Sequence, residues 1–438
     1  MNQRGRDDTV ARVLHFVEVT AIVVILVFCT VFFVQSLQAK DSDKTDAAIS
    51  AAAKSAVDDA LKDMTFQAGD TVNVDINSTH SADLLAASKT LMSAVSVYAN
   101  FEVTSTGFPG SFPSSGTTKK TMAGSGVIYK LDKDRGDAYI ITNYHVIYYN
   151  NSSTKNNVSD DITVFLYGQE YSQYAIDATY IGGSQNYDIA VLKVTGSRVL
   201  KASQARAADI ADSDAVSVLE TAIAVGNPEA EGISVTVGHI NVDSENITMT
   251  SVDEKKQLSM RVMRVDAAVN EGNSGGGLYS NSGELIGIVN AKINTSSVEN
   301  IAYAIPSNIA TAIADNIIYY CDGTEKESVY RCILGITVTA SESRAVYSTE
   351  DGTVHIVESV IVSDVTGGGL ADGKLQKEDI LKSVTIGDRM YEISRTFHVV
   401  DRMLTARVGD TVTFTVLRGG EEVSVTMTIT ESTLTAYL

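Results

Sequence analysis

The chain of 438 residues holds only three cysteines, too few for a disulfide framework to stand in for a hydrophobic core. Cys29 lies inside an apolar run, which leaves Cys321 and Cys332 as a possible pair. The residues leave a disulfide and two packed thiols equally open. Basic charge is also scarce: 34 Lys and Arg stand against 54 Asp and Glu, a formal net charge of -20. That balance repels phosphate backbones, and no basic stripe interrupts it, so nucleic acid is not an expected partner. No internal repeat stands out, and no pattern of residues calls for a metal or a cofactor. At this length, with domains of roughly 100–200 residues, two to three folded units are expected.

What the chain does have begins with one long apolar segment. Val19 to Ala39 carries no charge and includes Ile22-Val23-Val24-Ile25-Leu26-Val27-Phe28, enough to cross a hydrocarbon core of about 30 Å. The segment is expected to be a retained transmembrane helix. A cleaved signal peptide is the alternative, although Leu37-Gln38-Ala39 lacks the small residue expected at the start of a cleavage site. Arg4, Arg6 and Arg12 precede the segment, which puts residues 1–18 in the cytoplasm and the chain after Lys40 outside the cell membrane. Residues 40–80 then form a stalk or linker. Within it Asp46 to Met64 reads either as an Ala-rich helix or as a partly disordered spacer.

A folded domain is expected over residues 81–320. A helical segment near Ala82 to Met92 leads into a strand at Val95 to Val103, and Ser105 to Thr121, rich in Ser, Gly, Thr and Pro, reads as an exposed loop. From Ser125 to Pro306 short β-branched and aromatic runs, such as Tyr139-Ile140-Ile141 and Ile189-Ala190-Val191-Leu192, alternate with Gly, Asn, Asp and Ser clusters. That spacing predicts an all-β barrel or sandwich. Pro306, at the first position, opens a helix with Ile309, Ile313 and Ile317 on one face, and a boundary follows at Cys321 to Glu327. A second, mainly β unit covers residues 329–438, with strands at Val354 to Val362, Thr411 to Leu417 and Val423 to Ile429.

Three residues in this order are suited to acyl transfer, which needs a nucleophile, a base, a group that orients the base and donors for the developing oxyanion. Gly272-Asn273-Ser274-Gly275-Gly276 sets a serine in a glycine-rich turn whose backbone can approach a substrate closely. Ser274 is the candidate nucleophile, with the amides of Gly272 and Ser274 as the oxyanion hole. His145, after Thr142-Asn143-Tyr144 at the edge of a strand rather than in a helix, is the candidate base. Asp188, immediately before the apolar strand Ile189 to Val194, is the candidate orienting carboxylate.

With these segments in view, nearly the whole chain resembles the HtrA/Deg trypsin-like proteases. The matching stretches are Gly124-Ser125-Gly126-Val127-Ile128, Thr142 to Val146, Asp188 to Val194, Val225-Gly226-Asn227-Pro228, Asp266-Ala267-Ala268, Gly272 to Gly276 and Ala304-Ile305-Pro306. The resemblance implies a mainly β fold, a chymotrypsin-like double barrel with the triad between the barrels, and assembly as a homotrimer. Val265, Glu271 and Gly277 depart from the family's usual residues without touching the triad. Ala268, six residues before Ser274, stands where enzymes that cut after Arg or Lys have a carboxylate. Val269 and Ile293 match positions that line the first substrate pocket, which implies small or medium aliphatic residues there.

Residues 329–438 resemble a PDZ domain, through Leu334-Gly335-Ile336, Gly367-Gly368-Gly369-Leu370 and Arg407-Val408-Gly409-Asp410. In that family the amides of the Leu-Gly-Ile loop hold a peptide's C-terminal carboxylate, so Leu334, Gly335 and Ile336 are expected to bind peptide C-termini. The combined expectation is a single-pass membrane serine endopeptidase that acts on unfolded or specific proteins outside the cytoplasm. A non-catalytic peptide-binding adaptor with a vestigial protease fold is the alternative.

Overall fold

Residues whose side chains alternate between apolar and polar have one face to bury, and in this chain that face closes on itself twice. A computed structural model describes residues 80–105, 116–291, 301–349 and 352–437. The expected membrane segment, the stalk and Ile293 lie outside the described residues. Among the described residues no helix is long and apolar enough to cross a membrane.

After helix α1 (His80–Leu91) come β1 (Ala94–Ser105), β2 (Gly116–Asp132), β3 (Asp137–Thr142), β4 (Asp161–Leu166), β5 (Ile176–Ser184) and β6 (Ile189–Val194). They form a closed barrel in the order β1-β2-β3-β6-β5-β4. Val95, Val97, Ala99 and Phe101 point inward from β1 at period two and meet Ile128, Ile140 and Leu192 in one core. The loop expected over Ser105 to Thr121 is shorter than the composition indicated, since β2 already starts at Gly116. There Thr117 pairs with Thr104 and Lys119 with Glu102, so backbone pairing across the strands wins over the polar side chains.

A short helix α2 (Arg198–Ala202) leads toward a second barrel: β7 (Thr221–Gly226), β8 (Ser234–Thr250), β9 (Gln257–Val265), β10 (Gly277–Tyr279), β11 (Leu285–Asn290) and β12 (Ala302–Pro306). Its order, β7-β8-β9-β12-β11-β10, repeats that of the first. The two barrels thus share a topology although their sequences show no repeat. Helix α3 (Ser307–Tyr320) buries Ile309, Ile313 and Ile317, the face expected from their four-residue spacing. Pro306 caps it and still pairs with Gly287 in the barrel, one position before the first helical residue.

Past α3, β13 (Val329–Cys332) pairs with β20 (Leu434–Tyr437), the last strand. Asn316, fully buried in α3, donates to Tyr330 C=O at 2.7 Å and accepts Tyr330 N–H at 2.8 Å, which fastens β13 to the helix. Cys321 and Cys332 are separate free thiols, both buried. Burial pushes the Cys321 thiol up to about 11 and raises that of Cys332, as expected for thiols in apolar surroundings.

The rest of the C-terminal unit is a six-stranded sheet around its own core. It comprises β14 (Ile336–Tyr347), β15 (Val354–Val365), β16 (Ile380–Ile386), β17 (Arg389–Glu392), β18 (Thr411–Arg418) and β19 (Glu421–Thr428), with helix α4 (Thr396–Met403) across it. This sheet meets the second barrel through charge. Arg261 of β9 reaches Asp214 at 2.6 Å and also pairs with Asp401 of α4. Arg402 reaches Asp214 at 2.5 Å, and the Phe397 ring lies 3.6 Å from the Arg261 guanidinium. Burial pushes Asp401 up to about 6, whereas Arg261 and Arg402 overcome burial at Asp214 and hold it below the usual carboxylate range.

Candidate active site

β3 brings the run Tyr139-Ile140-Ile141 to an end at Thr142, and the chain then turns through a single 3-10 turn, Tyr144–Ile147. His145 sits in that turn, not at a strand edge as its flanking residues suggested. The turn is wrapped around Asp188. The Asp188 C=O accepts Tyr144 N–H at 3.2 Å and Asn143 Nδ2 at 2.8 Å, and Oδ1 accepts His145 N–H at 2.9 Å. Local backbone bonds that would have extended the strand go to the aspartate instead.

Asp188 is fully buried and has φ +50°, a conformation that aspartate tolerates better than branched residues. Its Oδ2 lies 2.6 Å from His145 Nδ1 and accepts Asn290 Nδ2 at 2.8 Å. A carboxylate at that distance fixes the tautomer: Nδ1 carries the proton and Nε2 presents a lone pair. Asn290 ends β11, and the next residue, Ala291, donates its N–H to Ser274 Oγ at 3.2 Å. Two consecutive residues therefore hold the aspartate and the serine.

Ser274 lies in the turn before β10 and is 5% exposed. Its segment is pressed against the histidine segment: a Cβ on Gly275, whose φ is +85°, would fall 2.2 Å from Ser125 C=O and 2.4 Å from Thr142 Oγ1. A Cβ on Gly124 would strike the Val146 side chain at 2.6 Å. Only glycine fits at either place.

Around the serine each carbonyl of the turn is tied. Glu271 C=O accepts Glu229 N–H at 2.9 Å, Gly272 C=O accepts Ser125 Oγ at 2.7 Å, Asn273 C=O accepts Gly276 N–H at 3.0 Å, and Ser274 C=O accepts Ser125 N–H at 2.8 Å. In a trans peptide the N–H points opposite its carbonyl. Among the described residues no acceptor takes the N–H of Gly272 or Ser274, so both are left to a third party. Ser125 and Asn290 are the contributors that residue-by-residue reading missed. The first stood unremarked inside the Gly124-Ser125-Gly126 motif, and the second had no motif around it.

The other expected site residues are spread wider. Val269 is buried in the second barrel core and Ala268 beside it is exposed. Leu334, Gly335 and Ile336 lie together on a cleft of about 310 Å³, also lined by Val338, Val400 and Met403. Gly335 has φ +74° there, where glycine carries no steric penalty.

Residues 124–288 match the family described as "Trypsin-like peptidase domain". The chain is similar to "Serine protease Do-like HtrA" of Bacillus subtilis (strain 168), 31% identical over 72% of this chain and 65% of that protein. It is likewise similar to "Serine protease Do-like HtrA" of Lactococcus lactis subsp. cremoris (strain MG1363), 31% identical over 75% of each chain. The solved "HtrA-type protease AlgW with decapeptide" is 24% identical, covers 81% of this chain and 99% of its own, and has a TM-score of 0.48. Two barrels, a histidine held on a buried aspartate, a serine in a glycine turn, and 31% identity over 75% of both this chain and the Lactococcus lactis protein agree: the chain belongs to the Do-like HtrA family of serine endopeptidases.

Proposed function

We propose that the protein is a membrane-anchored serine endopeptidase acting on extracytoplasmic proteins, with a PDZ-like C-terminal domain (residues 329–438) that senses peptide C-termini. The observation that carries the catalytic part is the short contact between His145 Nδ1 and Asp188 Oδ2 at 2.6 Å. With that bond made, Nε2 takes the proton of Ser274 Oγ as the serine attacks a peptide carbonyl. The carbonyl oxygen becomes an oxyanion held by the N–H of Gly272 and Ser274, and His145 then protonates the leaving amine. Water repeats the sequence on the acyl-enzyme. Ala268, without a carboxylate, and buried Val269 favour an aliphatic residue in the first substrate pocket over Arg or Lys.

The sensing part is supported by α4. Val400 and Met403 line the cleft with Leu334, Gly335 and Ile336, while His398, Asp401 and Arg402 of the same helix meet Asp214 and Arg261 of the protease. A peptide in that cleft touches the element that is ion-paired to the second barrel. The anchor rests on the uncharged Val19 to Ala39 segment and the arginines before it. Cleavage of a peptide library by the full chain and by Ser274→Ala tests the catalytic reading. Cleavage by both alike overturns it, as does enrichment of cut sites after Arg or Lys for the pocket. Protease added to intact cells should digest the catalytic domain, and full protection would overturn the stated topology.

A further inference from the structure

Ser125 belongs to β2 of the first barrel, yet its polar atoms serve the turn that carries Ser274 in the second. It is 1% exposed. Its N–H donates to Ser274 C=O at 2.8 Å, and its C=O accepts Thr142 Oγ1 at 2.7 Å, three residues before His145. Its hydroxyl does two things at once: it donates to Gly272 C=O at 2.7 Å and accepts Asn227 N–H at 2.7 Å. Asn227 opens the loop in which Glu229 N–H holds Glu271 C=O, and its own side chain fixes that loop by accepting Gly232 N–H at 2.8 Å.

The consequence follows from peptide geometry. Gly272 N–H and Ser274 N–H point the same way only if the peptides on either side of them keep their carbonyls turned away. Gly272, at φ +95°, has no side chain to resist rotation. Rotating the peptide between Glu271 and Gly272 would exchange the N–H for a carbonyl and put a partial negative charge where the oxyanion forms. The hydroxyl of Ser125 opposes this in two places, directly at Gly272 C=O and, through Asn227, at the loop that grips Glu271.

We infer that Ser125 is a positioning residue for the oxyanion hole. Its hydroxyl bridges the two barrels so that the Gly272 and Ser274 amides stay aimed at the substrate carbonyl. The inference rests on the reading of those two amides as the hole.

The test compares a peptide ester with the thionoester in which sulfur replaces the scissile carbonyl oxygen. Sulfur accepts hydrogen bonds poorly, so the oxygen-to-sulfur ratio of kcat/KM reports use of the hole. With the full chain a large ratio is expected. Ser125→Ala should lower kcat on the ester by roughly ten- to hundredfold, below the loss seen when a hole donor itself is removed, with KM within about twofold and the oxygen-to-sulfur ratio reduced. Ser125→Cys, near in size with a weaker donor, should fall between the two and keeps the test open if the alanine variant does not fold. A ratio near one in the unaltered protein would overturn the hole itself. A large ratio that survives in both variants would overturn the role of Ser125 alone.

Discussion

Asn290 donates its carboxamide to Asp188 Oδ2, the same oxygen that receives His145 Nδ1. Both Asn290 and Asp188 are buried, so the aspartate draws its compensation from these donors and from the His145 N–H rather than from water. Asn290→Leu should lower kcat by roughly ten- to hundredfold and destabilise the fold by about 1–3 kcal/mol. Stability lost with kcat unchanged would mean that Asn290 only fills space.

Gly275→Ala addresses the seam between the barrels. A Cβ there would overlap Ser125 C=O and Thr142 Oγ1, and the positive φ adds its own cost. The variant should lose most activity and about 1–3 kcal/mol in urea unfolding. Gly168→Ala also has positive φ but nothing within 4 Å of the added carbon, and it should keep its activity.

The charge network between β9 and α4 gives a pH test. Burial, with Arg402, Arg261 and Arg395 nearby, drives His398 down to about 4, against the pull of Asp214 at 3.6 Å. A depressed histidine pKa means that the unfolded chain takes up a proton first. Stability from this group is therefore full above about 6.5 and falls as pH drops toward 4, by at most about 3 kcal/mol. Asp401, raised to about 6, runs the other way and gains stability as pH falls through 6. Thermal unfolding of His398→Gln against the unaltered protein from pH 7 to 4 isolates the histidine, and the difference between them should shrink or reverse toward pH 4. Arg261→Leu strands Asp401 and leaves Asp214 to Arg402 and His398, and should cost about 3–5 kcal/mol.

The peptide-sensing reading has its own comparison. Peptides with a free apolar C-terminus should stimulate cleavage of an unrelated reporter, whereas amidated versions should not, with a coupling of about 1–3 kcal/mol between the two sites. Asp401→Ala, which removes the ion pair between α4 and Arg261 while the Phe397 contact and the Arg402–Asp214 pair remain, should weaken the stimulation without abolishing peptide binding. Equal stimulation by free and amidated peptides would remove the carboxylate from the account.

Much of this was legible in the residues because each signal was local. Ile309, Ile313 and Ile317 announce their helix by spacing, and Ile189 to Val194 announces its strand by β-branching. What was hidden is non-local. Nothing in Thr142-Asn143-Tyr144-His145 tells that Asp188, 43 positions on, will draw the backbone amides of 144 and 145 into a 3-10 turn. Nor does Asn290, sitting in an all-apolar strand, advertise a partner 102 positions away. The matching topology of the two barrels was invisible for a related reason. A barrel asks only for alternation and closure, which unrelated residues satisfy equally well.

Labelling the full chain with a fluorophosphonate and sequencing the modified peptide by mass spectrometry asks whether Ser274 is the nucleophile and His145, oriented by Asp188, its base, because the reagent needs an activated hydroxyl and leaves a permanent mark. One adduct is expected, on Ser274, absent in Ser274→Ala and formed at least about a hundredfold more slowly in His145→Ala. An adduct on another residue, or labelling of Ser274 at an unchanged rate without His145, would contradict these roles.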